Sequence, residues 1–310
     1  MKRITLDGGI KTGTFKLPPP GFDPFKAGEA DLKMYGLPQL PSDPGLLERY
    51  RRVFHRPAGA VKWIEPQFTL ARGWVRRPRP KRVDLATEEG TSWSGGIVAG
   101  AFRWMQGDWI VPNVGAVADG RSMCGVWIGL DGDGQMQDGQ QVFQAGVVIT
   151  ANRSGNSVQT TFEAFWEWFP ADPVIISNFE VNPGDLLTLV LCSAQGTGST
   201  EGTAFFANRT TGFGLAVPMF APAGIALRGA TAEWIVEMLT DPNTHQLIPL
   251  PDYGEVFFSE CIAVSTDGSI VGGGTGNNYV AFDTQGNLVS QGRLIAPTVV
   301  QCLYSGDPPA

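Results

Sequence analysis

The stretch Glu163-Ala164-Phe165-Trp166-Glu167-Trp168-Phe169 sorts its residues by strict alternation. The odd positions give Glu163, Phe165, Glu167 and Phe169, and the even ones Ala164, Trp166 and Trp168. Successive side chains of a strand point to opposite faces, so a period of two predicts a β-strand with one face for a core. The other face mixes carboxylates with large aromatics. Three further segments repeat the arrangement. Val126-Trp127-Ile128-Gly129-Leu130-Asp131 sets Val, Ile and Leu against Trp127 and Asp131. In Phe143-Gln144-Ala145-Gly146-Val147 the apolar residues share one face and Gln144 points the other way. In Thr231-Ala232-Glu233-Trp234-Ile235-Val236-Glu237, Ala232, Trp234 and Val236 oppose Glu233 and Glu237. The plain reading is that the polar faces meet solvent. That reading explains the shared aromatics less well, because exposed apolar patches mark binding sites. A groove lined this way suits an extended polymer, peptide or polysaccharide, and periodicity does not choose between them.

Around these segments, from about Val83 onward, short alternating runs are punctuated by turn residues such as Asn182-Pro183-Gly184-Asp185 and Asn208-Arg209-Thr210-Thr211-Gly212. Regular short strands with turn signals and no sustained helical period predict an all-β sandwich. The first 85 residues read differently. Leu17-Pro18-Pro19-Pro20, Asp23-Pro24, Leu37-Pro38 and Leu40-Pro41 fix φ and remove donors, so most of this part runs extended. One helix is expected where Ser42-Asp43-Pro44 supplies a cap and a first-turn proline before Leu46, Leu47 and Tyr50 at helical spacing. The chain thus divides into a basic, Pro-rich extension (1–85) and a β-sandwich domain (86–310).

Charge sharpens that division. The 310 residues carry a formal net charge of -7. Residues 1–85 hold 17 Lys and Arg against 8 Asp and Glu, a local +9, while the rest holds 6 Arg against 22 acidic residues, a local -16. The partner of the basic segment is then the acidic body behind it, and this is not a nucleic-acid binder's balance. No apolar run approaches the roughly 18 residues of a membrane span. Met1-Lys2-Arg3, followed by Asp7-Gly8-Gly9, lacks the apolar stretch of a secretory leader. The run Arg76-Arg77-Pro78-Arg79-Pro80-Lys81-Arg82 reads as a solvated linker or as a protease-sensitive junction. A monomer is expected. Cys124, Cys192, Cys261 and Cys302 form no C-x-x-C pair, leaving disulfides and buried thiols both open.

Much chemistry is missing. There are two histidines, His55 and His245, and neither lies near a nucleophile elbow. No H-E-x-x-H or other metal-ligand spacing appears, and no cofactor or metal is expected. Asp131-Gly132-Asp133-Gly134 has Met136 and Val142 where a calcium loop wants Gly and Glu. Gly272-Gly273-Gly274 leads into no helix that could hold a phosphate. Catalysis is left to carboxylates and amides.

At these residues the chain resembles the glutamic peptidases, the pepstatin-insensitive acid endopeptidases also called eqolisins. The matching stretches are Ser92-Trp93-Ser94-Gly95-Gly96, Gly107-Asp108-Trp109-Ile110-Val111-Pro112, Trp127 to Gly132, Phe143 to Gly146, Trp166 to Pro170 and Ala232 to Glu237. They stand in the family's order across roughly residues 88–305. The resemblance implies a sandwich of two bent antiparallel sheets, lectin-like in architecture, with a substrate groove on a concave face. It implies a catalytic dyad at Gln144 and Glu233 and substrate contacts from Trp127, Asp131, Glu163, Phe165, Glu167 and Phe169. Phe165 and Phe169 stand where the family commonly has Trp and Tyr, and Glu163 where Asp is usual. The missing leader looks more like a bacterial relative, while the family suggests an acidic extracellular setting.

The expected chemistry follows. Glu233 as carboxylate takes a proton from water and returns it to the leaving amine, and the Gln144 amide hydrogen-bonds the oxyanion. An ordinary Glu pKa of ~4.3 leaves such a base working in acid where a histidine is protonated. Glu237 is the rival for the Glu role. The basic extension becomes an inhibitor of its own body, masking the groove until acid loosens it, or else it packs permanently as part of the fold. Two other readings remain: a glycoside hydrolase using Glu163 and Glu167, and a carbohydrate-binding module.

Overall fold

The computed structural model describes residues 1–54, 61–75, 92–115, 119–133 and 141–306. His55, the basic run from Arg76 to Arg82, the expected boundary at 85/86 and most of the loop after Asp133 lie outside these residues. The extension contributes strands β1 (Lys2–Thr5) and β2 (Lys11–Thr14), helices α1 (Glu29–Met34) and α2 (Pro44–Phe54), and short strands β3 (Lys62–Trp63) and β4 (Phe68–Leu70). The body follows as β5 (Trp93–Ala99), β6 (Phe102–Ile110), β7 (Gly120–Leu130), β8 (Val142–Ser154), β9 (Ser157–Phe169) and β10 (Val174–Ile176). It continues through β11 (Leu186–Cys192), β12 (Glu201–Asn208), β13 (Phe213–Phe220), β14 (Thr231–Met238) and β15 (Glu255–Ser265). The last strands are β16 (Ile270–Gly272), β17 (Asn277–Phe282), β18 (Leu288–Ala296) and β19 (Val299–Tyr304).

Two sheets result. One runs β4-β10-β9-β8-β7-β14-β5-β17, every neighbour antiparallel. The other runs β3-β13-β12-β11-β6-β15-β19-β18-β17, with β16 also on β15, and its only parallel pair is β3 with β13. Strand β17 belongs to both and joins them. The alternation read from the sequence sorts the side chains as expected. Ile128, Phe143, Ala145, Trp166, Trp168 and Trp234 from the first sheet meet Met105, Leu189, Phe206 and Phe258 from the second in one buried core. The Trp234 indole also donates across the sandwich to the Gln106 carbonyl at 2.8 Å, so its one polar atom is satisfied inside the core.

The extension wraps this sandwich. Helix α2 starts where expected, with the Asp43 carboxylate accepting from the Leu46 amide at 2.8 Å. Helix α1 was not foreseen, because six residues between Gly28 and Gly36 are too few for a period to register. Leu32, Tyr35, Leu37, Leu46 and Tyr50 pack on Trp104, Val190, Phe205, Ala216, Ile262 and Val264 of the second sheet's outer face. Glu260, held at positive φ in a bulge of β15, meets Arg49 at 2.5 Å and Arg52 at 3.0 Å beside that contact. The opposite charges of the two parts therefore do meet, around an apolar centre. The four cysteines are free thiols, and burial pushes that of Cys302 up to about 12.

Candidate active site

Register builds the site. Glu233 on β14 pairs with Gly129 on β7, Gly129 with Gln144 on β8, and Gln144 with Glu167 on β9. Directly opposed residues of antiparallel strands project from the same face, so the four lie in one row on the side turned away from the core. Two strand spacings, about 10 Å, separate the backbones of Glu233 and Gln144. Between them stands a glycine. A Cβ on Gly129 would lie 2.8 Å from Cζ3 of Trp127 and 3.2 Å from Cβ of Gln144. The missing side chain leaves the space above this backbone to the Trp127 ring, which lies in the row between the two polar groups.

Neighbours fix the polar groups. Nε2 of Gln144 donates to Oε2 of Glu167, which settles which end of the amide carries the donor. Oε1 of Gln144 is left as a buried acceptor that no protein group satisfies. Glu237, two rows along β14, accepts from the Trp127 indole at 2.9 Å. Trp93 packs edge-on against that indole, with centroids 4.8 Å apart. The row of Glu237 carries Gly125 and Val148 where the first row carries Gly129 and Gln144, so this rival carboxylate faces no amide.

The other expected residues divide. Phe165 sits in the row between those of Glu167 and Glu163, opposite Gly146 and Trp127. Glu163 reaches the exposed end of the strand, and partial desolvation raises its pKa. Phe169 is half-buried at the opposite end of β9. Asp131, at positive φ, spends its carboxylate on the amides of Arg228 (2.8 Å) and Ala230 (2.7 Å) and on Gln141 Nε2 (3.2 Å). Burial still raises its pKa against those bonds. In this structure Asp131 holds a loop. Among the described residues, no group of three or more His, Cys, Asp or Glu is placed to hold a metal ion.

The row is not open. Glu233, Gln144 and Glu167 are 0%, 1% and 1% exposed. Part of the cover is the extension itself. After β4 adds to the edge strand β10, the Ala71 amide bonds the Pro173 carbonyl, and Val75 pairs with Thr240 just past β14. The five residue steps from Leu70 to Val75 reach about 17 Å, whereas five spacings of a flat sheet from β4 to β14 amount to about 24 Å. The sheet therefore curves around the segment, with the polar face inside. Trp74, in the middle of this strap, is 3% exposed and sets its ring 5.5 Å from that of Phe165 at 84°.

Sequence reasoning missed two parts of this arrangement. The bond from Gln144 to Glu167 had a signal: Gly155-Asn156 is a two-residue turn between Ser154 and Ser157. Ten steps outward from that turn on either side reach residues 144 and 167. Trp74 had none, since nothing local says which distant ring it meets.

Comparison with known proteins bears on the family and the fold. The description "Peptidase A4 family" matches residues 91–304. Aspergillopepsin-2 of Aspergillus niger is 26% identical over 204 residues, 60% of this chain and 68% of that protein. Scytalidopepsin B of Scytalidium lignicola is 26% identical over 189 residues, 58% of this chain and 66% of that protein. The fold superposes on scytalido-glutamic peptidase carrying a peptide-based transition state analog. There the TM-score is 0.57 and the identity 22%, covering 70% of this chain and 99% of that one. Aspergilloglutamic peptidase from Aspergillus niger gives a TM-score of 0.51 at 23% identity, covering 59% and 99%. This chain belongs to the Peptidase A4 family and is, by that membership, a peptide-bond hydrolase of the glutamic type.

Proposed function

We propose that the protein is an acid-active endopeptidase in which Glu233 and Gln144 hold a water against the scissile carbonyl. The observation that carries this is the single row Glu233-Gly129-Gln144 across three adjacent strands. Glu233 as carboxylate accepts a proton while the water oxygen bonds to the carbonyl carbon. The oxyanion takes a hydrogen bond from the second Nε2–H of Gln144, the first being held by Glu167. Oε1 of Gln144, otherwise unsatisfied, accepts from the water. As the C–N bond breaks, the proton on Glu233 passes to the amine. Glu167 is a positioning residue in this scheme: an ionised carboxylate only accepts, so it keeps the NH2 of Gln144 on its own side. Trp127, Phe165, Phe169 and Glu163 offer surface to a polypeptide along the same face.

The extension is the inhibitor of this site, and the strap over Phe165 is the support for that reading. Activation then requires that residues 71–75 leave the polar face. The test is digestion of a denatured protein at acid pH with pepstatin present, using the wild type, Gln144→Ala and Glu233→Gln. Near-normal cleavage by either variant removes the dyad. Following the chain's mass during acid incubation tests the inhibitor; an intact chain at full activity removes it.

A further inference from the structure

Trp74 lies outside residues 91–304, which the family pattern matches, yet it is among the least exposed residues of the extension. Its segment is held by backbone bonds at both ends, Ala71 to Pro173 and Val75 to Thr240. Between them Gly73 turns through a φ of +80°, beside Arg121, and Trp74 follows pointed at the sheet. An edge-on ring pair at 5.5 Å is a favourable aromatic geometry, and the ring joins a cluster that includes Trp127, Ile175 and Ile235. The polar atom of Trp127 there is already engaged by Glu237. The spot has an apolar floor and an aromatic edge, and it lies one row, about 7 Å, along β9 from Glu167.

We infer that Phe165 floors a subsite for a large aromatic side chain of the substrate polypeptide, and that Trp74 fills it in this chain as that side chain would. The inference rests on the endopeptidase reading and adds the substrate class. One row along β9 and one strand spacing across, about 8 Å in all, separate Phe165 from Gln144, which two to three residues of extended peptide span, so the aromatic residue falls within three positions of the cut bond.

Two measurements test it on the full chain. The first is calorimetric titration with N-acetyl-tryptophanamide at neutral pH. Trp74→Ala should bind it at least tenfold more tightly than the wild type, and Trp74→Ala with Phe165→Ala should lose that gain. Indole should raise the Tm of Trp74→Ala but leave that of the wild type unmoved. The second needs no variant: acid digestion of a randomised peptide library by the wild type should show aromatic residues enriched at one fixed position within three of the cleaved bond. Phe165→Ala should abolish that enrichment and raise KM for aromatic peptides about tenfold. Cleavage with no aromatic preference, or with a basic one directed at Glu163, overturns the inference but leaves the peptidase reading standing. Equal ligand binding by Trp74→Ala and the wild type also overturns it. A wild type that cuts nothing in acid, or a Gln144→Ala that cuts as well as the wild type, defeats the peptidase reading instead.

Discussion

The two faces of the sheet that carries Gln144 and Glu233 are both buried, but for different reasons. One face is closed by the second sheet, with Trp166, Trp168 and Trp234 packed against Leu189, Phe206 and Phe258. The other, which carries the carboxylates and the amide, also carries five residues of the N-terminal extension, Ala71 to Val75, with Trp74 set on Phe165. The first burial is built from mutual apolar packing. The second hides polar groups under a strap joined by a few backbone bonds and one ring contact. Stability should reside on the first face and activity on the second, and substitutions can separate them.

The sharpest separation comes from Glu233→Gln. It keeps the side-chain volume and removes the proposed base, so kcat should fall up to about ten-thousandfold, ~5.5 kcal/mol of barrier, while the denaturation midpoint moves little. Trp234, the next residue, is the converse. Trp234→Ala should cost about 3–5 kcal/mol of stability, read from urea denaturation, because it opens a cavity and strands the Gln106 carbonyl. If the two variants show the same pattern, the division between the faces is wrong. Gly129→Ala should cost about 1–3 kcal/mol through the contacts at 2.8 and 3.2 Å and lower kcat as well, since the added methyl pushes on the Trp127 ring and on Cβ of Gln144. Glu167→Gln should lower kcat by about tenfold with KM nearly unchanged, because a neutral amide partner no longer fixes which end of Gln144 donates. A KM effect of the same size would make Glu167 a substrate contact.

A separate expected effect lies on the second sheet and concerns pH. Burial raises the Asp108 carboxyl to about 6, against the lowering effects of Thr188 and Arg209. The folded chain therefore binds this proton more tightly than the unfolded chain, and the group's contribution to stability falls as pH rises from about 4 to about 6. Acidification should stabilise the fold by about 3 kcal/mol through this residue, and Asp108→Asn should flatten that part of the pH profile. A wild-type profile already flat between those values would show that Arg209, at 3.3 Å, compensates the burial in full.

Much of this was legible in the chain. Alternation alone separated Phe143, Ala145 and Trp234 from Gln144 and Glu233, because the side-chain period of a strand is fixed by backbone geometry. The cap at Asp43 marked α2 for a similar reason: its signal lies within three residues. What stayed hidden depends on pairing between distant segments. Periodicity gives Glu233 and Glu237 the same face, and only the register with β7 and β8 says which of them meets an amide. Asp131 looked like part of the polar face, but its oxygens are taken by amides almost a hundred residues away. The strap was hidden for the same reason, since β4 finds β10 across a hundred residues of chain.

The extension does more than lie over a face: β4 covers all three residues of β10, and β3 covers Phe213 and Gly214 of β13. It thus supplies the outermost strand of each sheet. Losing it would leave unpaired backbone donors and acceptors at two margins, where a second chain can add. Liberating the catalytic body and making it prone to self-association would then be one and the same event.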